Sequence, residues 1–375
     1  MRTLETLVTN SSASEALEKA IHGEELDFND GVSLMDIDNV HILGLVADHI
    51  RKKLVGDTVT FVSSYNLNYS NICVARCSIC AFYRPYKKGK EVEGGYTLSI
   101  PQALKKVKEA VSKGATEIHI VGGFNPDLSI EYYENLFKDI KTRWSYVTIK
   151  ALTLIEIIFI SKLTNNSITE VFSRLKAAGI DANAGGGAEI FDPEVRSIIA
   201  TAPKCSGKEW LKAAELAHKI GIRGNSTMLY GHVEKTEHRV DHILKIRELQ
   251  QQTSGFLSFI PLKYSPENTE LFISGKVKGA TSALDDLRVY ATSRLLLAGS
   301  INNIAIYWIA LGKKVAQTVL TYGGNDLVGT AFNEKVYRAA GKKETSTKES
   351  IVHIVREINR IPAERDTFYN ILNYL

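Results

Sequence analysis

Three of the four cysteines in this sequence fall within eight positions, spaced Cys73-x3-Cys77-x2-Cys80. A disulfide framework would spread its cysteines, whereas a reducing compartment leaves thiols free to bind metal. Three thiolates this close suit a cubane iron–sulfur cluster. Full ligation takes four, so one iron is left open to chelate a small molecule. Two plainer readings stand beside this one. Zinc wants a fourth ligand at similar spacing, and no Cys, His or Asp follows closely after Cys80. Thiols packed only as small apolar groups need no particular spacing. Cys205 stands alone and reads as a free structural or surface thiol.

Other candidates sit where β-rich runs end. Gly122-Gly123 follows Glu117–Val121, and without a Cβ the backbone there approaches a ligand closely; a plain strand-to-loop turn is the alternative. Gly185-Gly186-Gly187 is a flexible run leading to Glu189. Such runs imply a close ligand or a sharp bend, so Gly186 and Glu189 are candidates for cofactor binding, against a solvated loop carboxylate. His232 and Glu234 follow another strand-like run and are the candidate catalytic pair, with His232 an acid or base near neutral pH or an ordinary loop histidine. His238 and His242 lie one helical turn apart with no third ligand and read as a solvated helix face. Lys150, Tyr307 and Trp308 suit a pocket for an aromatic carboxylate, and core packing explains the two aromatics equally well.

The elements that must hold these residues alternate. From Leu98 onward, helix-period stretches such as Ile130–Arg143 and Gly207–Ile220 take turns with short β-rich runs such as Glu117–Val121 and Phe256–Leu262. That grammar implies βαβ units and a parallel sheet: an α/β fold, a full or partial (β/α)8 TIM-type barrel, with the triad in the loop after a first strand at Thr58–Leu67. Residues 1–55 read as a helical extension, 56–310 as the barrel core and 311–375 as a mostly helical addition packed on it. The formal charge is +4, and Lys and Arg are interleaved with Asp and Glu, so no stripe suited to nucleic acid stands out. The longest apolar stretch, Ala151–Ile160, is interrupted by Glu156 and falls short of the roughly 20 residues of a bilayer span. Met1–Ala13 lacks the pattern of a secretory signal, and a cytoplasmic location is expected.

With these motifs in place, the chain resembles the radical S-adenosylmethionine superfamily and, from Val59 to Tyr369, its menaquinone and deazaflavin branch. EIHIVGG at Glu117–Gly123, GGGAEIFDPEVR at Gly185–Arg196, MLYGHVE at Met228–Glu234 and YWIALGKKVAQ at Tyr307–Gln317 most resemble the aminofutalosine synthases of that branch. Asn125 stands where those proteins often carry histidine, and Asp181-Ala182-Asn183-Ala184 replaces their usual Asp-Ser-Leu-Pro.

The resemblance implies a 4Fe-4S cluster on Cys73, Cys77 and Cys80 that chelates the methionyl amine and carboxylate of S-adenosylmethionine. It further implies that Gly122 and Gly123 contact the methionyl amine and that Ile79, commonly aromatic at this position, lies against adenine. The implied reaction adds a 5′-deoxyadenosyl radical to 3-[(1-carboxyvinyl)oxy]benzoate, an aromatic carboxylate, with rearrangement and decarboxylation, and draws its electron from a donor such as flavodoxin or ferredoxin. The enzyme alternatives are dehypoxanthine futalosine cyclase and a deazaflavin synthase subunit. A non-catalytic iron–sulfur or zinc protein is the alternative of another class.

Overall fold

A computed structural model describes residues 2–200, 204–330, 333–342 and 346–375. Among the described residues, twelve strands run β1 (Thr58–Val62), β2 (Ser64–Asn68), β3 (Ile72–Cys73), β4 (Arg84–Pro85), β5 (Glu117–Val121), β6 (Thr148–Ala151), β7 (Ala182–Asn183), β8 (Gly224–Tyr230), β9 (Phe256–Lys263), β10 (Asp326–Gly329), β11 (Ile361–Arg365) and β12 (Ile371–Tyr374). The order β2-β5-β6-β7-β8-β9 makes one curled parallel sheet. Its far edge continues through parallel bridges from Phe259 to Ile304 and from Ala305 to Asp326 of β10, and β10 pairs in parallel with β1. Since β1 leads into β2 across Ser63, the pairings return to their starting strand. The alternation read from sequence therefore closes into a ring rather than stopping at a half-barrel.

Helices cover the outside of the ring, and those at Ile100–Ser112, Ile168–Ala178 and Gly207–Lys219 are strongly amphipathic. Several open on a capping box, in which a Ser or Thr hydroxyl and the Glu or Gln three positions on satisfy each other's backbone N–H groups. Ser99 with Gln102, Thr153 with Glu156, Ser167 with Glu170 and Ser206 with Glu209 all do this. Each cap fixes where a strand-to-helix loop ends, and so which residues are left at the mouth of the barrel. Four helices within residues 2–55 precede β1.

Two expectations need correction. The single strand at Thr58–Leu67 breaks at Ser63, whose carbonyl accepts from Thr116 and Glu117 at the entrance to β5, so its two halves serve different sheets. Residues 311–375 are not simply helical: besides the helices Lys313–Val319, Val336–Ala339 and Lys348–Arg356, they supply β10, β11 and β12. β11 pairs in parallel with β1, on the side opposite β10, and β12 folds back antiparallel on β11.

This C-terminal hairpin plugs the end of the barrel where the strands begin. The Asp326 carboxylate accepts from Thr60 Oγ1 at 2.6 Å, Arg365 Nε at 2.5 Å and the Val328 N–H at 2.7 Å. Glu117 accepts from Thr367 Oγ1 at 2.8 Å and faces Lys150 Nζ at 3.9 Å. Burial opposes the charge on Glu117, and the Lys150 ammonium overrides it, holding the carboxyl below its usual range. Lys150 is thus a member of this buried ionic layer and does not line a substrate pocket. Trp308 is also a core residue, its indole N–H donating to Gly329 O at 2.9 Å, while Tyr307 packs on Tyr337.

Candidate active site

At the opposite end, the β2-to-β5 connection carries the triad. β3 pairs with β4 so that Cys73 lies beside Pro85, and the Tyr86 N–H donates to the Cys73 carbonyl at 3.3 Å. Val74 N–H donates to Phe124 O at 3.0 Å, which ties the loop to the residue after the glycine pair. Cys73, Cys77 and Cys80 then line one cavity of about 160 Å³ together with Ile79, Gly122, Gly123, Glu189 and Lys204. Burial pushes the Cys73 thiol up, and that of Cys80 up to about 11.

The glycine pair is required by this geometry. A Cβ on Gly123 would lie 2.3 Å from the Ile72 carbonyl oxygen, and one on Gly122 would lie 2.7 Å from the Tyr69 ring. Behind the pair stands Glu156, whose carboxylate accepts from Gly122 N–H at 3.0 Å, Tyr69 OH at 2.7 Å, Thr153 N–H at 2.7 Å and Thr153 Oγ1 at 2.6 Å. Burial pushes its carboxyl up, and four donors compensate a charge the core would otherwise reject. The sequence did carry a signal for it, as the one charged residue inside the longest apolar stretch.

Glu189 reaches the same cavity and forms an ion pair with Lys204. Burial disfavours the Glu189 charge, but the Lys204 ammonium holds its carboxyl below the usual range; burial likewise opposes the Lys204 charge, and the fields of Cys77 and Glu189 outweigh it. The Lys204 side chain is 3% exposed. Nothing in sequence spacing marks Lys204, because its role exists only where the loops after β2 and β7 meet. Gly186 does not reach this cavity: its carbonyl accepts from Trp210 Nε1 at 3.2 Å. Gly185 is the constrained member of the run, since at φ 78° a Cβ there would lie 1.9 Å from Asn225 O.

The expected catalytic pair is placed elsewhere. His232 and Glu234 have no side-chain exposure and line neither this cavity nor the next. His232 Nε2 is 3.1 Å from Leu229 O and its Nδ1 accepts from Val233 N–H at 2.8 Å, while Glu234 accepts from the N–H groups of Gly231 and His232 and pairs with Arg239. Burial lowers the His232 pKa, so the ring is neutral, and the pair secures the turn after β8. His242 is corrected as well: it is fully buried, stacked 4.0 Å from Phe191, with Nε2 2.9 Å from Thr227 O. Cys205 is buried, and its carbonyl accepts from Arg196.

A second cavity, about 190 Å³, adjoins the first and shares Ile79, Cys80 and Glu189 with it. Leu229, Leu262, Tyr264, Ser265, Val336 and Tyr337 supply most of its remaining wall. It is chiefly apolar and aromatic, as sites for small organic ligands are.

The donor set fits a cluster. The one carboxylate in the triad cavity is engaged by Lys204, which leaves the thiols as its free metal donors. Among the described residues, no three His, Cys, Asp or Glu side chains gather tightly enough for a single ion. A cubane, whose three protein ligands sit on three different irons, does not ask for that convergence.

The comparisons agree with this arrangement. Residues 67–246 match the radical SAM superfamily model and residues 253–374 match the CofH/MqnC C-terminal region. The chain is 38% identical to a 5-amino-6-(D-ribitylamino)uracil–L-tyrosine 4-hydroxyphenyl transferase of Methanococcoides burtonii, over 95% of this chain and 98% of that one. It is also 38% identical to an aminodeoxyfutalosine synthase of Thermus thermophilus, over 94% of each. In fold it is similar to the FeFe-hydrogenase maturase HydG from Carboxydothermus hydrogenoformans, with a TM-score of 0.73 at 18% identity over 98% of this chain and 87% of that one. The chain therefore belongs to the radical S-adenosylmethionine superfamily, whose members use a 4Fe-4S cluster and S-adenosylmethionine. Within it, the chain is an enzyme of the CofH/MqnC group. No helix among the described residues is long and apolar enough to cross a membrane.

Proposed function

We propose that this enzyme is an aminofutalosine synthase, joining the 5′-deoxyadenosyl group of S-adenosylmethionine to 3-[(1-carboxyvinyl)oxy]benzoate with rearrangement and loss of carboxylate as CO2. The observation that carries the reading is the second cavity: its size and aromatic walls suit one benzoate ring, directly beside the triad cavity. When bound, the cluster and S-adenosylmethionine supply the adenosyl radical, with the electron drawn from a flavodoxin- or ferredoxin-like donor. Cys73, Cys77 and Cys80 hold the cluster, and Gly122 and Gly123 let the backbone approach the cofactor. Ile79 forms the wall common to both cavities, and the Glu189–Lys204 pair sets fixed charges at their junction. The protein's share of the chemistry is placement, charge matching and exclusion of water.

The 38% identity to the Methanococcoides burtonii protein supports a second reading, transfer of a hydroxyphenyl group from tyrosine to a ribitylaminouracil. Anaerobically reconstituted enzyme with reductant and S-adenosylmethionine separates the two. An adenosyl-containing product from carboxyvinyloxybenzoate supports the synthase. Product only from tyrosine with the aminouracil overturns it.

A further inference from the structure

We infer that His119 receives the ring carboxylate of the substrate, donating a hydrogen bond to it inside the barrel, an inference that rests on the synthase reading above. Along β5, Ile118 and Ile120 are fully buried in the main core, while Glu117, His119 and Val121 point to the opposite side. That side is the interior of the ring, because Glu117 bonds Thr367 of the plug. In the sheet, His119 stands between Asn66 of β2 and Lys150 of β6. Although its strand is paired on both edges, His119 keeps intermediate exposure, as do Asn66, Val121 and Tyr307, whose hydroxyl meets the Asn66 side chain. Helices cover the outer face, so the space these side chains see is a hollow within the barrel. It adjoins the second cavity, since Tyr307 packs 5.1 Å from Tyr337, one of that cavity's walls, and it leads along β5 to Gly122 of the triad cavity. The His119 ring nitrogens have no hydrogen-bond partner among the described residues.

The charge around His119 suits an anion. Lys150 Nζ lies 3.9 Å from Glu117, beyond hydrogen-bond reach, so the carboxylate does not fully cancel its field. The imidazole registers the remainder: burial lowers its pKa to about 4, the Lys150 ammonium lowers it too, and Glu117 opposes by less. At physiological pH the ring is therefore neutral, with one N–H to donate, and it sits in a positive potential that attracts a carboxylate. The layout also sets which carboxylate arrives. The radical is generated beside the triad and the glycine pair, so the alkene and the carboxylate attached to it lie at the mouth. His119 lies deeper, three residues before Gly122 and toward the plug. In a meta-substituted benzoate, the group directed away from the alkene is the ring carboxylate. The imidazole N–H donates and a carboxylate oxygen accepts, a charge-assisted bond of the stronger kind.

Equilibrium dialysis of the reconstituted holoenzyme, without reductant, compares carboxyvinyloxybenzoate with its analogue lacking the ring carboxylate. His119→Leu should weaken binding of the full substrate roughly tenfold or more and leave the analogue's affinity nearly unchanged. His119→Gln, which keeps a side-chain N–H, should recover most of the loss. If His119→Leu fails to take up its cluster, His119→Phe, which keeps a planar ring without a donor, is held to the same criterion. Equal binding of the full substrate by wild type and variant, or an equal loss for substrate and analogue, would overturn the assignment while leaving the synthase reading intact. If wild type instead binds tyrosine and not carboxyvinyloxybenzoate, the synthase reading falls and the carboxylate assignment falls with it.

Discussion

The two ends of the barrel treat buried polar groups in opposite ways. At the plugged end, Asp326, Arg365, Thr60, Glu117 and Thr367 satisfy one another through bonds of 2.5–3.0 Å, and the Arg365 guanidinium lies 3.9 Å over the Tyr369 ring. At the open end, three thiols line a cavity, and burial suppresses the acidity of Cys73 and Cys80. The first arrangement spends its polar groups on holding the ring shut. The second leaves them for something that arrives later. Charged groups matched to one another at one end, and three thiols gathered round a cavity at the other, are a physical sign of which end meets a ligand.

Breaking the open end should produce the largest effect on chemistry and almost none on the fold. Cys77→Ala is expected to abolish formation of the adenosyl-containing product and the brown cluster absorbance, with a far-ultraviolet circular dichroism spectrum like that of wild type. Retained turnover would refute the radical mechanism. Breaking the plugged end should do the reverse. Asp326→Ala leaves the Arg365 charge buried without its carboxylate, which costs about 3–5 kcal/mol. Denaturant unfolding should show that loss, and an unchanged midpoint would mean that Arg365 finds another partner.

A smaller effect sharpens the contrast on the barrel wall, where His242 is buried and held neutral. Burial lowers its pKa from 6.5 to about 3 in the folded protein, so between these values the unfolded chain binds the extra proton. The stability His242 contributes is present above about pH 6.5 and drains away as pH falls toward 3, by at most about 1.4 kcal/mol per pH unit. His242→Gln should flatten the thermal midpoint between pH 7 and pH 5 relative to wild type. An identical slope in both proteins would assign the acid sensitivity to other groups.

What was legible in the sequence follows from how local each constraint is. The triad could be read because one cluster ties three ligands into a single loop, and the glycine pair because a close approach forbids a side chain at that spot. The alternation of elements gave the barrel for the same reason, since each βαβ unit announces itself over a short span. Lys204 escaped notice because it acquires its role only when loops from different strands converge. β10 and β11 escaped because four or five residues, one of them Pro362, carry too little period to declare a strand whose partner lies some 260 to 300 positions away. His232 and Glu234 show the opposite case: a polar pair after a strand resembles a catalytic one in sequence, and the structure directs its hydrogen bonds to the turn itself.

The pairing of β1 with β10 and β11 has a further consequence for how the enzyme is made. Cys73, Cys77 and Cys80 leave the ribosome within the first quarter of the chain, whereas the strands flanking β1 come within the last fifth. At roughly 5–20 residues per second, the nascent thiols wait on the order of ten seconds or longer before the ring can shut. During that interval the metal-binding loop precedes the cavity that will shelter it, so the order of translation itself keeps the cysteines accessible until the last strands are in place.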